Sequence, residues 1–248
     1  MPKLNVSLRQ IPLLSRLDRV EIALLAGLVA IAGLIWAFVQ LADEVTEGDT
    51  TDFDHWLIGL LRTPGNPTDP LGPPWLEEAV RDITALGSYS VLGLLTGIVV
   101  IYMLLVRKHG MAVLTLISIL GGALFSTLLK MYFDRPRPDL ESSAQVFTAS
   151  FPSGHATLSA VTYLTLGALL ARVEARHEAR IFWIGTALAL TVLVGASRLF
   201  LGVHFPTDIL AGWTLGASWA GLCLIVARWL QRRGTVEEPH ETSATKHK

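Results

Sequence analysis

Six long stretches without a charged side chain constrain this chain more than any other feature of its sequence. They cover residues 22–42, 83–106, 111–129, 156–171, 181–197 and 209–227. An α-helix needs about 20 mostly apolar residues to cross a bilayer, and the fourth and fifth stretches are near the lower limit. The mean hydropathy of +0.48 and the charged fraction of only 17% agree with this length argument. The sequence therefore predicts an all-α, integral membrane bundle of six transmembrane helices.

The first stretch shares one feature with a secretory signal peptide, because Arg16 and Arg19 precede it. Its apolar run is longer than the roughly 7–15 residues of a signal-peptide core. We therefore predict a helix that stays in the protein as a membrane anchor.

The basic residues predict how this bundle is oriented, because Lys and Arg are enriched in cytoplasmic loops. With the N-terminus inside, 14 of the 20 Lys and Arg residues lie on the cytosolic side: Lys3, Arg9, Arg16, Arg19, Arg107, Lys108, Arg172, Arg176, Arg180, Arg228, Arg232, Arg233, Lys246 and Lys248. The outer loop 43–82 is acidic in its first third instead. Both termini are therefore predicted to be inside.

The regions outside the apolar stretches divide the chain further. Residues 1–19 form a basic cytosolic lead-in, 20–230 the membrane domain, and 231–248 a polar cytosolic tail that we expect to be disordered. The five prolines of residues 63–74 predict a connector without helix or strand. A short helix is expected to begin near residue 75.

The outer loop also contains a short amphipathic pattern. Apolar side chains recur at helical spacing, at Phe53, Trp56, Leu57, Leu60 and Leu61. Two interpretations remain open: the helix lies in the outer interface plane, or it packs its apolar face over the bundle. Two further pairs, Gly93 with Gly97 and Gly212 with Gly216, predict close helix packing.

Composition excludes several functions. A formal net charge of -1 provides no basic field for nucleic acid. The single cysteine, Cys223, cannot form an intramolecular disulfide or a cysteine-based metal site. No carboxylate cluster indicates a metal either, and no cofactor is expected.

Three polar motifs lie at the ends of the last four apolar stretches. The first is Lys130 with Arg137-Pro138, the second Pro152-Ser153-Gly154-His155, and the third Ser197-Arg198 with His204 and Asp208. The third and fifth spans run outward and the fourth and sixth begin at the outer side. All three motifs therefore face the same side of the membrane.

The first motif supplies cations. For a lone Arg beside hydrocarbon, snorkelling to the interface is the simplest explanation. For Lys130, Arg137 and Arg198 together, with two histidines nearby, we favour a shared anion such as phosphate. Arg135 either joins these cations or pairs with Asp134 or Asp139.

The second and third motifs supply an anion cradle and two histidines. Ser153 is a good helix N-cap, and Gly154 lets a ligand approach the helix N-terminus. His155 would follow in the first turn. Asp208 lies four residues after His204 across a helix start, so its carboxylate can fix the tautomer of the imidazole. An ordinary capped helix with an interfacial histidine remains the alternative for the second motif, and a structural His–Asp cap remains the alternative for the third.

At these residues the chain resembles the type 2 phosphatidic acid phosphatase superfamily, which includes glucose-6-phosphatases and vanadium haloperoxidases. The family signature is Lys, six residues, Arg-Pro; then Pro-Ser-Gly-His; then Ser-Arg, five residues, His, three residues, Asp. This sequence matches it at every position between residues 130 and 208.

The resemblance implies a role for each residue. His204 would attack phosphorus and form a phosphohistidine, Asp208 would orient it, and His155 would protonate the leaving oxygen and then activate water. Lys130, Arg137, Arg198, Ser153 and the Gly154 N–H would hold the phosphoryl oxygens. The family works without a metal.

The resemblance also implies a function. We expect a lipid phosphatase acting on undecaprenyl diphosphate, phosphatidylglycerol phosphate, phosphatidate or a lipid A phosphate. Phosphotransfer to an alcohol and non-catalytic binding or transport of lipid phosphates are the alternatives. The outer face lacks a usable glycosylation sequon, which is compatible with a bacterial inner membrane and a periplasmic site. The sequence does not indicate the oligomeric state.

Overall fold

The computed structural model describes residues 19–138 and 149–237, and helices dominate this part of the chain. Their bounds are α1 Arg19–Glu47, α2 Thr51–Gly59, α3 Pro74–Ala85, α4 Tyr89–Leu105, α5 His109–Phe133, α6 Gly154–Val173, α7 His177–Phe200 and α8 Pro206–Arg232. A small antiparallel pair, β1 Arg62–Thr63 and β2 Asn66–Pro70, lies between α2 and α3. The predicted all-α class is confirmed for the bundle.

Five of the described helices, α1 and α5 to α8, are long and apolar enough to cross a membrane. The count reaches six if α3 and α4, which meet at a 44° bend, form one broken span. Ser88 explains where α4 begins, because its hydroxyl accepts a hydrogen bond from the Val91 N–H at 3.2 Å. The predicted stretch 83–106 is therefore divided by a break at 86–88.

Helix α6 is the centre of the bundle and packs against α5, α7 and α8. Most of its side chains are buried, while the surrounding helices carry large apolar side chains on their outer surfaces. A polypeptide in water would bury such side chains, so the exposed apolar belt is the surface expected of a bundle surrounded by lipid.

Two glycines allow α8 to approach α6 closely. A Cβ on Gly212 would lie 2.8 Å from the Ser153 carbonyl oxygen, and one on Gly216 would lie 2.6 Å from the Thr157 carbonyl oxygen. The predicted close helix packing is confirmed for Gly212 and Gly216. The same prediction is wrong for Gly93 and Gly97, where an added Cβ meets no atom of the described chain within 4 Å.

The outer segment differs from the sequence prediction at one point and agrees at another. Residues 63–74 were expected to lack strands, yet β1 and β2 form a hairpin. Gly65 turns the chain with a φ of +86°, and the prolines fit because a two-stranded edge does not need every N–H. Helix α3 begins at Pro74, as predicted.

The structure describes the first residues of the predicted tail, 231–237, and they contact α5. The Gln231 amide donates to the Glu237 carbonyl oxygen at 3.0 Å, and Glu237 accepts from the Gly110 N–H at 3.0 Å. A carboxylate at the first turn of α5 is favoured by the helix dipole. The lead-in 1–18 and the tail 238–248 lie outside the described residues.

The α6–α8 contact gives a stability prediction. Gly216→Ala should lower the free energy of unfolding by about 1–3 kcal/mol, because the new methyl group meets backbone atoms that cannot move aside cheaply. Gly97→Ala is the matched control, and it should be neutral or stabilising because Ala favours a helix. Thermal unfolding of both variants in detergent measures this. Equal melting temperatures for the two variants would contradict the packing.

Candidate active site

The three motifs meet at one end of the bundle, where α5 and α7 end and α6 and α8 begin. The Ser153 N–H donates to the Asp208 carbonyl oxygen at 2.9 Å, which joins the starts of α6 and α8. The Lys130 ammonium donates to the Ala149 carbonyl oxygen at 2.7 Å, and Arg137 donates to that of Val203 at 2.8 Å. These bonds hold all three motifs in one cluster.

His204 occupies the loop between α7 and α8 and is only 1% exposed. Its Nδ1 lies 3.3 Å from Asp208 Oδ2. Asp208 is fixed in turn at the start of α8, where its Oδ2 also accepts the Phe205 N–H at 2.9 Å. The predicted pairing of a carboxylate with this histidine across the helix start is therefore present in the structure.

The environment of His204 keeps its ring neutral. Burial lowers the pKa of His204 to about 3, although the hydrogen bond and charge of Asp208 act in the opposite direction. Arg137 and Lys130 lower it further. If the Nδ1 proton is assigned to the bond with Asp208, Nε2 carries the lone pair of the ring. This Nε2 then accepts a hydrogen bond from Arg137 Nη1 at 3.2 Å, so the lone pair faces the cationic group.

Ser153 and Arg198 each have a buried polar atom that lacks a hydrogen-bond partner among the described residues. Ser153 sits at the predicted N-cap position of α6, but it forms no cap hydrogen bond, and its Oγ has no partner among the described residues. Arg198 contacts Thr84 Oγ1 at 3.2 Å through one nitrogen, while its buried Nε has no partner within the same ranges. Unpaired buried donors are costly, which points to an anionic ligand.

The backbone of α6 adds further donors. The first N–H groups of any helix lack an intrahelical acceptor, and the positive end of the helix dipole lies with them. Gly154 begins α6, and a Cβ there would approach Lys130 Cε to 3.3 Å. The glycine therefore keeps the space between this helix end and the lysine open for a small anion.

His155 follows in the first turn of α6 and is half-buried. The side chains close enough to act on it electrostatically are Arg198, His204, Arg137 and Lys130, so it belongs to the same cluster. The bend between α3 and α4 borders it: a Cβ on Gly87 would approach the His155 ring to 3.2 Å. A histidine that is partly open to solvent here can exchange protons with water.

Two further residues contact this cluster that no sequence motif predicted, Ser150 and Asp54. Ser150 donates to Asp208 and lies 3.3 Å from His204 Nδ1. Asp54, from α2, accepts hydrogen bonds from Thr207 and Arg135. Neither Ser150 nor Asp54 belongs to one of the three motifs.

Arg135 contacts two carboxylates that the sequence did not point to as its partners. It does not pair with Asp134, which ends α5 in a left-handed conformation, and Asp139 lies outside the described residues. Its two terminal nitrogens contact carboxylates instead, Asp208 Oδ1 and Asp54 Oδ2, each at 2.7 Å. Arg135 therefore lies on the far side of Asp208 from His204.

One cavity of the structure lies outside this cluster. A cavity of about 860 Å³ between α4, α6 and α7 is lined mainly by apolar side chains and reaches Val173 and Trp183, near the opposite helix ends. No residue of the three motifs lines it.

Within residues 19–138 and 149–237, no group of three or more His, Cys, Asp or Glu side chains is placed to hold a metal ion.

Comparisons with known proteins agree with the motifs. The family model described as PAP2 superfamily matches residues 111–232. Phosphatidylglycerophosphatase B from Bacillus subtilis (strain 168) is 36% identical over 146 residues, which are 58% of this chain and 71% of that protein. An undecaprenyl-diphosphatase from Sulfolobus acidocaldarius is 41% identical over 70 residues, 28% of this chain and 29% of that protein.

A solved structure resembles the fold over most of its length. The crystal structure of a transmembrane PAP2-type phosphatidylglycerolphosphate phosphatase from Bacillus subtilis superposes with a TM-score of 0.73 at 28% identity, covering 82% of this chain and 98% of that one. The helical bundle, the three motifs at one end of it and these similarities together show that the chain belongs to the PAP2 superfamily.

Proposed function

We propose that this protein is a membrane lipid phosphatase that removes the terminal phosphate of a lipid phosphate or diphosphate through a phosphohistidine at His204. The observation that carries the proposal is the buried His204, whose Nδ1 lies 3.3 Å from Asp208 Oδ2 and whose Nε2 lies 3.2 Å from Arg137 Nη1. A histidine that only capped a helix would not need its second nitrogen beside a cation.

The first half-reaction transfers the phosphoryl group to the enzyme. The Nε2 lone pair of His204 forms a bond to phosphorus as the bond from phosphorus to the lipid oxygen breaks. His155 donates its proton to that oxygen, and the lipid alcohol or lipid monophosphate departs. Asp208 stabilises the positive charge that develops on the His204 ring.

The second half-reaction releases the phosphate. His155, now neutral, accepts a proton from water as the water oxygen attacks phosphorus. The bond from phosphorus to Nε2 breaks, so orthophosphate leaves and His204 is again neutral. Lys130, Arg137, Arg198, Ser153 and the Gly154 N–H hold the phosphoryl oxygens throughout, because phosphoryl transfer depends chiefly on positioning and charge stabilisation.

The place of the site favours lipid substrates. It lies where membrane-length helices end, so a phosphate headgroup can reach it while the hydrocarbon chain stays in the bilayer. The similarity to a phosphatidylglycerophosphatase and an undecaprenyl-diphosphatase favours phosphatidylglycerol phosphate and undecaprenyl diphosphate, with phosphatidate and lipid A phosphates as further candidates. We also retain phosphotransfer to an alcohol acceptor, which would use the same phosphohistidine.

A non-catalytic binder or transporter is the alternative from another class. Cations beside the bilayer would serve such a protein equally well. It would have no use for a nucleophile whose second nitrogen is fixed by a buried carboxylate. The histidine pair therefore favours an enzyme.

We further propose that the bundle crosses the membrane six times, with α3 and α4 as one broken span and both termini inside. The site would then face the outside, which in a bacterial inner membrane is the periplasm. The apolar side chains Phe53, Trp56 and Leu60 of α2 are exposed while Asp54 faces the bundle. This arrangement favours the interfacial placement of α2 over packing by its apolar face.

The nucleophile gives the direct test of the activity. His204→Ala should reduce phosphate release from lipid phosphates by roughly 10³- to 10⁶-fold, because no other group replaces the nucleophile. Phosphate release by purified protein in detergent, over a panel of lipid phosphates and diphosphates, measures this. His177→Ala, an exposed histidine at the start of α7 and far from the cluster, is the matched control and should retain full activity.

Two outcomes would contradict the proposal. One is near-normal phosphate release by folded His204→Ala protein. The other is binding of lipid phosphates without any phosphate release by the wild-type protein, which would favour the binder. A phosphorylated alcohol in place of orthophosphate would instead identify the transferase.

Single-cysteine labelling tests the orientation. In a Cys223→Ala background, Asp49→Cys lies after α1 and Arg176→Cys lies between α6 and α7, and both positions are exposed. A membrane-impermeant maleimide should label position 49 in intact cells and position 176 only after permeabilisation. The reverse pattern would place the site on the cytosolic side, and labelling of both positions in intact cells would contradict the span count.

A further inference from the structure

A partly buried arginine, Arg135, joins the Asp208 carboxylate to the outer helix α2. Arg135 Nη1 donates to Asp208 Oδ1 and Arg135 Nη2 to Asp54 Oδ2, both at 2.7 Å. Both carboxylates are 0% exposed and the arginine side chain is 13% exposed. Its guanidinium also stacks over the Phe205 ring at 4.4 Å from the centroid. Together, these contacts hold the guanidinium group in one orientation.

Asp54 is held as firmly as Asp208. Thr207, the residue beside Asp208, donates its N–H to Asp54 Oδ1 at 3.1 Å and its hydroxyl to Asp54 Oδ2 at 2.7 Å. The same hydroxyl accepts a hydrogen bond from Arg135 at 2.9 Å. The start of α8 is therefore clamped to α2 through a closed set of charge-assisted bonds.

The two carboxylate oxygens of Asp208 have different hydrogen-bond partners. Oδ1 receives Arg135, while Oδ2 receives Ser150, the Phe205 N–H and His204 Nδ1. The Arg135 bond sets the rotation of the carboxylate, and its charge withdraws electron density from the oxygen that faces His204. A change at Arg135 must therefore reach His204 through Asp208.

We propose that Arg135 is a positioning residue for the reaction, with Asp54 as its anchor on α2. It keeps the Asp208 carboxylate in the rotation that orients His204, and it limits how strongly that carboxylate attracts a proton to the histidine. This proposal rests on the proposed phosphatase function only where it concerns turnover.

The contacts separate Arg135 from the phosphate-binding arginines. Arg137 reaches His204 Nε2, the side of the ring that would attack phosphorus, whereas Arg135 reaches the carboxylate behind Nδ1. Arg135 should therefore affect kcat with little effect on the binding of phosphate. Arg137 should affect phosphate binding directly.

Four variants test this assignment in purified protein with a short-chain phosphatidate. Arg135→Gln should lower kcat by about 10- to 100-fold, the size of effect typical when a partner that orients an active-site group is lost. KM and the inhibition constant of inorganic phosphate should change less than about twofold, whereas Arg137→Gln should weaken inhibition by phosphate. Arg135→Lys keeps the charge but cannot bridge two carboxylates, so it should recover only part of kcat. Arg81→Gln, which removes an exposed ion pair with Glu77, is the matched control and should behave as the wild type.

A double variant keeps the test independent of folding. Arg135→Gln alone leaves two buried carboxylates without their shared cation, which is strongly destabilising. Arg135→Gln combined with Asp54→Asn removes one of those charges, so this protein should fold and should still show the fall in kcat.

An NMR titration tests the proposal without reference to activity. Among the described residues, the charged and polar groups facing His204 and Asp208 are Asp54 of α2, Lys130 of α5, His155 of α6, Arg135, Arg137 and Ser150. In ¹⁵N-histidine-labelled protein, with His204 assigned by its loss in His204→Gln, Arg135→Gln or the double variant should raise the pKa of His204. Arg135→Lys should leave it near the wild-type value.

Three results would overturn the assignment. They are a wild-type kcat in the folded double variant, an unchanged titration of His204, and a loss of phosphate inhibition equal to that of Arg137→Gln. If the wild-type protein released no phosphate at all, the proposed function would fail, while the titration would still decide the role of Arg135.

Discussion

The carboxylate of Asp208 is the group on which the arrangement of this site depends. A buried charge is tolerated only when polar partners replace the water it has lost. Asp208 obtains these partners from four separate places: the start of α8, the loop that carries His204, Ser150 before α6, and Arg135 after α5. Satisfying one carboxylate therefore brings together segments that are distant in the sequence.

Close helix packing makes this convergence possible. Gly212 and Gly216 let α8 lie directly on α6, so the start of α6 and the Asp208 end of α8 become neighbours. The Ser153 N–H then donates to the Asp208 backbone, which fixes the turn at Ser153 relative to His204. Outside this contact the helices expose apolar side chains, as a lipid-facing bundle should. The three polar motifs thus lie together at one end of an otherwise apolar helical bundle.

Much of this organisation follows from the sequence. Hydropathy predicted the long helices. The four-residue spacing across a helix start predicted the contact between the side chains of His204 and Asp208. Asp54 and Ser150 were not predictable in this way, since their contacts depend on tertiary packing and neither lies in a motif. Arg135 was recognised as a cation, but its partner on α2 is 81 positions away. Gly93 and Gly97 show the converse: their spacing permits close packing, but no part of the chain that the structure describes packs against them.

Trapping the covalent intermediate tests the central claim most directly. A p-nitrophenyl phosphate monoester labelled in its phosphoryl group has a leaving group that departs without protonation, so His155→Gln should slow mainly the attack of water. After rapid quenching in base, which preserves phosphohistidine, we predict label on His204 by peptide mapping and its accumulation in the His155→Gln protein. The label should be absent from His204→Ala protein. Label on another residue, or turnover by His204→Ala protein, would contradict the account.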